Sequence, residues 1–357
     1  MLLRFQDGRG PVRPTLHDIA RETGLSIATV SRALHRDRSP NVSEETRQRV
    51  RDVARAIGYS PNLLGRSLAT GKSHTVSYWT FDAFAPYYAR VARYISDEAA
   101  RRGYYVILNN TRDPARSLHA DGAGTSSGSP LAAAADGIIA CDVAFSLNED
   151  AAALRTRQLP FVGIGLNFPR DRDYVGLDLY AGGQMATRHL IERGARRIAH
   201  MTQDNPIGAD ARLRAYVDVM EEAGREPEHI DVRAHHRAPA REAIVAYVRG
   251  RQEAGRPLPD AIFCVSDEVA LGCYRGLCDL GLRVPDDVML VGCDGIEDTA
   301  YQACPITTLA APVERMSALA WDFLEARIRD PDLAEQQVML LPELVAREST
   351  HSAHFDS

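Results

Sequence analysis

Residues 15–34 read "TLHDIARETGLSIATVSRAL", and they hold two short helical patterns back to back. Thr15, followed three residues later by Asp18, is a helix-start signal that satisfies exposed amides of the first turn. Leu16, Ile19 and Ala20 form one apolar stripe, and Gly24 supplies the left-handed residue that ends the helix. Ser26 then heads a second helix, with Ile27, Val30 and Leu34 at helical spacing. Two short helices joined through Gly24-Leu25 predict a helix-turn-helix. Ser43 starts a third, "EETRQRVRDVARAIG", with Val50, Val53, Ala54 and Ile57 on its buried face and Gly58 as its stop.

The polar face of the second helix carries Ser26, Thr29, Ser31 and Arg32, a set with no acid or base for catalysis. In a helix-turn-helix the second helix enters the DNA major groove. Arg32 has the fork that reads guanine, and Ile27 and Ala28 suit apolar contact with thymine methyls. Ser26, Thr29 and Ser31 are placed for the phosphate backbone. Charge points the same way. Residues 1–75 carry 13 Lys+Arg against 7 Asp+Glu, whereas the remainder carries 29 against 41. A basic head on an acidic body suits a polyanionic partner for the head alone.

At 357 residues the chain exceeds a single small domain. Beyond Thr75, β-rich runs ("YYVILNN", "DGIIACD", "PFVGIG", "RIAHMT", "AIFCVSD", "VMLVGCD") alternate with amphipathic helices ending in glycine. This predicts an α/β body of parallel sheets in two subdomains, with ligands beyond the carboxyl ends of the strands. Neither a secretory signal nor a bilayer-length apolar run is present, so a cytoplasmic location without membrane attachment is expected. The six cysteines lack any paired spacing and read as free, buried thiols, with no metal site and no cofactor. "GTSSG", with Ser126 at its centre, matches a nucleophile-elbow pattern in letters only. It lacks the strand before and helix after that hold such a serine, so the chain is read as non-enzymatic.

Residues 15–73, from "TLHDIARETG" through "GYSPNLLGRSLATGKS", resemble the head of the LacI/GalR family of bacterial transcription regulators. The body resembles that family's regulatory core, a two-lobed periplasmic-binding-protein-like fold. The match is clearest over "GGQMATRHLIERGARRIAHM" and "AIFCVSDEVALGCYRGLCDLGLRVPDDVMLVGCDG". The resemblance implies a disordered extension over 1–13, a DNA-binding domain over 14–61 and a hinge helix over 62–73. It places an effector-binding and dimerisation domain over 74–345 and a flexible tail over 346–357. It adds Thr15, His35 and Asn62 to the DNA-binding set, and implies that Leu68 wedges into the minor groove, where an apolar side chain kinks the duplex. In the body it implies effector contacts from Tyr87, Tyr88, Arg212, Ser266, Asp267 and Asp294. An arginine, a carboxylate and aromatic rings suit a hydroxylated ring such as a sugar.

The chain also departs from the family's pattern. His35 stands where an asparagine is common, and Gly65 where an alanine is common in the hinge. Gly165 and Leu166 stand where the family often has an Asp or Arg contact, and "AHHRAPAR" stands near where many relatives carry an aromatic, so His236 or Arg237 is the candidate to approach the ligand there. Residues 121–129 are Gly/Ser-rich. The implied function is a ligand-responsive repressor of carbohydrate genes, bound as a homodimer to double-stranded operator DNA with a sugar-like effector. A purine- or nucleoside-responsive regulator of the same architecture is the alternative. A transport-type binding protein is the rival of another class, and specific operator binding separates it from the others.

Overall fold

The chain divides between His74 and Thr75 into two units. A computed structural model describes residues 14–34, 42–60, 72–80, 82–110, 135–143, 159–165, 172–203 and 210–351. The extension 1–13, His35, Asn62, Gly65, Leu68, the 121–129 segment with Ser126, and Leu166 lie outside these residues.

The first unit has three helices, α1 (Leu16–Thr23), α2 (Ile27–Leu34) and α3 (Glu44–Ala56). Asp18 closes the start of α1 by accepting from the Thr15 amide at 2.9 Å and the Thr15 hydroxyl at 2.8 Å. Gly24, at φ 68°, lets the chain reverse, so that the Leu25 amide reaches the Ala20 carbonyl. Ile19, Val30, Ala33, Val42, Val50 and Ala54 make the core. Two α3 arginines reach back to the other helices. The Arg49 guanidinium donates to the Thr23 carbonyl at the end of α1 (2.7 Å), and that of buried Arg47 donates to the Arg32 carbonyl in the last turn of α2 (3.3 Å). Both meet the negative end of a helix, where a cation is stabilising.

The second unit is built on two six-stranded sheets. The first contains β1 (Thr75–Thr80), β2 (Tyr105–Asn110), β3 (Gly137–Cys141), β4 (Phe161–Gly165), β5 (Asp173–Leu177) and β11 (Gln337–Leu340), in the order β11-β5-β4-β3-β1-β2. The second contains β6 (Ile198–Thr202), β7 (Glu228–Asp231), β8 (Ala261–Cys264), β9 (Met289–Asp294), β10 (Thr307–Ala310) and β12 (Glu343–Val345), in the order β12-β10-β9-β8-β6-β7. Every pairing is parallel except β10 with β12. The first five strands of each lobe follow one scheme, so β4 and β9 are equivalent strands of the two lobes.

Helices α4 (Pro86–Arg102) and α9 (Val313–Arg329) cover the first sheet. They are joined by the Trp321 indole on the Ile95 carbonyl (3.0 Å) and by Arg102 on Asp322 (2.8 Å) and Glu325 (2.6 Å). Helices α5 (Leu179–Glu192), α6 (Ala211–Glu222), α7 (Arg237–Glu253) and α8 (Asp267–Asp279) serve the second lobe. The chain passes between lobes three times. Asp178 links β5 to α5, Ala311-Pro312 link β10 to α9, and Leu341-Pro342 link β11 to β12.

Residues 346–351, expected to belong to a flexible tail, are ordered. Residues 346–351 are held against the second sheet: buried Ser349 donates to the Leu290 carbonyl and accepts from the Thr307 amide, and Thr350 bonds Thr307 and His189. Hydroxyl side chains there satisfy strand and helix groups that water otherwise meets. All six cysteines are free. Cys141, Cys264, Cys273 and Cys293 are buried, but Cys278 is exposed and Cys304 half-buried. No helix among the described residues is long and apolar enough to cross a membrane.

Candidate functional site

The α2 face in the first unit is presented as a surface. Ser26, Ile27, Ala28 and Arg32 are exposed, Thr29 and Ser31 half-buried, and Thr15 is exposed at the start of α1. The Ser26 hydroxyl also caps α2, accepting from the Thr29 amide at 3.1 Å. The Arg32 Nε–H rests on the Ala28 carbonyl (3.1 Å), which lays the side chain along the helix while its terminal nitrogens stay at the surface. A short, hydroxyl-rich helix with one exposed arginine approaches a groove closely, because nothing long holds it away.

In the second unit, Tyr87 and Tyr88 open α4, just past the carboxyl end of β1 in the first lobe. Their rings meet edge to face, with centroids 5.2 Å apart and planes at 72°. Tyr87 packs against the core of the second lobe as well as the first, so it stands between them. Burial pushes both phenols well above the ordinary range. Cys141, Asp142 and Asp294 push them the same way, and Arg212 draws Tyr88 partly back. Tyr87, Tyr88, Asp142, Asp294 and Arg212 therefore lie near one another where the two lobes meet.

Arg212, near the start of α6, is almost fully buried. Its Nε and Nη2 grip the two oxygens of Asp210 at 2.9 and 3.0 Å, and Nη1 donates to the Val265 carbonyl at 2.6 Å. Burial alone raises the Asp210 carboxyl, but the Arg212 guanidinium overcomes it and brings the group down to about 2. Arg212 is thus locked as a cation with most of its N–H groups already engaged. Asp294 ends β9 at φ 125°, a strained conformation for a non-glycine residue. Burial, with Asp267 adding, pushes its carboxyl well above the ordinary carboxylate range. Arg90, one turn along α4, reaches across to the second lobe to donate to the carbonyls of Asp294 (3.4 Å), Gly295 and Ala311 (2.7 Å).

Asp267 requires a correction. It is fully buried and faces inward, with one oxygen accepting from the Thr308 hydroxyl (2.7 Å) and the other from the Ile296 amide (2.8 Å). It holds the loop behind Asp294 and presents nothing to a ligand. Ser266 caps α8, accepting from the Val269 amide at 3.3 Å. Arg237 is likewise turned away, tied to Glu268 and Asp298, and His236 is exposed before α7. The neighbouring His235 instead accepts from the Gln203 amide at 3.4 Å, on the Arg212 side. Arg90 and Asp142 were not among the sequence candidates. Arg90 lies two residues past Tyr88, in "APYYARV", and Asp142 directly follows the strand run "GIIAC", so position was visible but direction was not. No cluster of three or more metal-ligating side chains occurs among the described residues.

Comparison with known proteins agrees with both halves. Residues 15–62 match the pattern of the bacterial regulatory proteins, lacI family, and residues 187–350 match a periplasmic binding protein-like domain. The chain is 30% identical over 347 residues to the HTH-type transcriptional repressor PurR of Aliivibrio fischeri (strain MJ11), covering 94% of this chain and 98% of that one. It is 29% identical over 339 residues to the ribose operon repressor of Escherichia coli (strain K12), covering 94% and 99%. Among solved structures, the transcriptional regulator CelR–cellobiose complex superposes with a TM-score of 0.66 at 27% identity, covering 94% of this chain and 100% of that one. These relatives are transcriptional regulators rather than enzymes. With its helix-turn-helix head and two-lobed body, the chain belongs to the LacI family of bacterial regulatory proteins.

Proposed function

We propose that this protein is a cytoplasmic, non-enzymatic repressor that binds a pseudo-palindromic operator as a homodimer and answers to a carbohydrate effector. The observation that carries the DNA half is the exposed face of α2, with Arg32 as its sole exposed cation beside Ile27 and Ala28. Two-fold symmetry would set two such helices in successive major grooves, with Leu68 of each hinge wedged between them. The effector half rests on a cleft that joins rings to carboxylates. A sugar offers hydroxyls to the acids and a C–H face to the tyrosines. Relatives named for ribose and cellobiose favour this reading. The purine reading draws on the PurR relatives, but the edge-to-face tyrosine pair offers no parallel plates for a flat base.

The test begins with selection of bound sequences from random duplex DNA by the full chain, which should yield a two-fold symmetric site. Arg32→Ala should then lose about 1–3 kcal/mol on that site and relax preference at one position per half-site. Failure to enrich any sequence would leave the transport-type alternative. Adding ribose, cellobiose or hypoxanthine to the bound complex, read as a change in operator affinity, separates the carbohydrate and purine readings.

A further inference from the structure

Gly165 and Asp294 occupy equivalent places, the last residues of β4 and β9, and both have positive φ (95° and 125°). The second lobe thus carries a carboxylate where the first has no side chain. The space is nevertheless filled. A Cβ built on Gly165 would lie 2.4 Å from an Asp142 carboxylate oxygen, so the glycine exists in contact with that acid. Asp142 follows β3, the strand beside β4, and its amide donates to the Ile164 carbonyl at 3.3 Å. It sits at φ 55°, a left-handed conformation that short polar residues tolerate and that turns the side chain over the end of the neighbouring strand. The Tyr174 hydroxyl holds the other side of this corner by donating to the Gly165 carbonyl.

From this we propose that Asp142 is the first lobe's ligand-reading carboxylate, substituting from the next strand for the side chain absent at Gly165. The cleft then reads its effector with acids from both lobes, Asp142 and Asp294, around Tyr87 and Tyr88. The inference rests on the carbohydrate reading above and narrows it. Among the described residues, the two cations beside these rings turn most of their donors on the protein: Arg90 on three backbone carbonyls, and Arg212 on Asp210 and Val265. What faces the ligand is therefore rich in acceptors. Such a site takes a donor-rich ring, a polyhydroxyl or amino sugar, and rejects one that bears phosphate or carboxylate.

Calorimetric titration of the full chain with ribose, glucose, glucosamine, cellobiose, ribose 5-phosphate, glucose 6-phosphate, glucuronate and hypoxanthine tests this. The variant is Asp142→Asn, because asparagine keeps the left-handed conformation and the shape but not the charge. The expected result is binding of at least one uncharged or amino sugar, weakened about 10- to 100-fold in the variant. The variant's own unfolding temperature without sugar should match the parent's. Equal sugar binding by parent and variant, or preference for the phosphorylated or carboxylated probes, overturns the role of Asp142 and leaves the carbohydrate reading standing. Binding of hypoxanthine alone, or of no probe, overturns both.

Discussion

His200 lies in β6, fully buried, with its ring stacked on Tyr216 (centroids 5.3 Å, planes at 26°) and tilted against Phe263 (4.7 Å). Burial drives its pKa down to about 3; Arg212 and His229 act with burial, and Asp210 acts against it. In the unfolded chain the group returns to about 6.5. A depressed pKa means that its stability is complete above pH 6.5 and lost as the pH falls toward 3. At pH 5 the loss is about 2 kcal/mol. Asp267, raised to about 6 by burial, works in the opposite sense, since protonating it below pH 6 favours the fold. The useful measurement is therefore a difference. Urea unfolding of parent and His200→Phe between pH 7.5 and 5 should show the parent losing about 2 kcal/mol more than the variant. Parallel profiles would show that His200 does not titrate on unfolding. Gly292 shows the same dependence on neighbours, since a Cβ there would fall 2.1 Å from an Asp267 oxygen.

At the scale of the element, Ser26 has two duties that two substitutions separate. Ser26→Ala removes the cap of α2 and should cost the head about 1 kcal/mol in thermal unfolding. Ser26→Asp keeps a capping oxygen but sets a negative charge where DNA phosphate is expected. It should unfold like the parent yet bind DNA at least tenfold more weakly in a mobility-shift assay. Unchanged DNA affinity in Ser26→Asp would place the phosphates elsewhere. The caps at Thr15, Ser26 and Ser43 were legible in the sequence because a cap and its amide lie within three residues. The bonds of Arg47 and Arg49 to the other helices were not, since their partners lie 15 and 26 residues away. Strand β1, "TVSYWT", was hard to read because buried residues run through it without alternation, and the Trp79 indole takes its partner from Ser77 within the same strand. The short strands β11 and β12 gain meaning only from partners far away in sequence, β5 and β10. The site divides along the same line. Tyr87, Tyr88, Arg212 and Asp294 came from matched motifs. The inward turn of Asp267 and the packing of Asp142 against Gly165 are facts of tertiary structure that no local pattern encodes.

For the body as a whole, lobe geometry is set by the three crossings and by Arg90. One guanidinium from the first lobe meets three carbonyls of the second lobe and of its crossing at Ala311. Arg90→Met keeps the length of the side chain and removes the donors. Its expected outcome is a larger radius of gyration by solution scattering and at least tenfold weaker effector binding, with the fold retained by circular dichroism. An unchanged radius would mean that the crossings alone hold the lobes. Those crossings also impose an order on biosynthesis. The first lobe is begun at Thr75, but its covering helix α9 and edge strand β11 end only at Arg329 and Leu340, after the second lobe's first five strands have been made. The head buries its core with its own residues alone. The head therefore emerges from the ribosome with its own core complete long before the chain that closes the first lobe has been made.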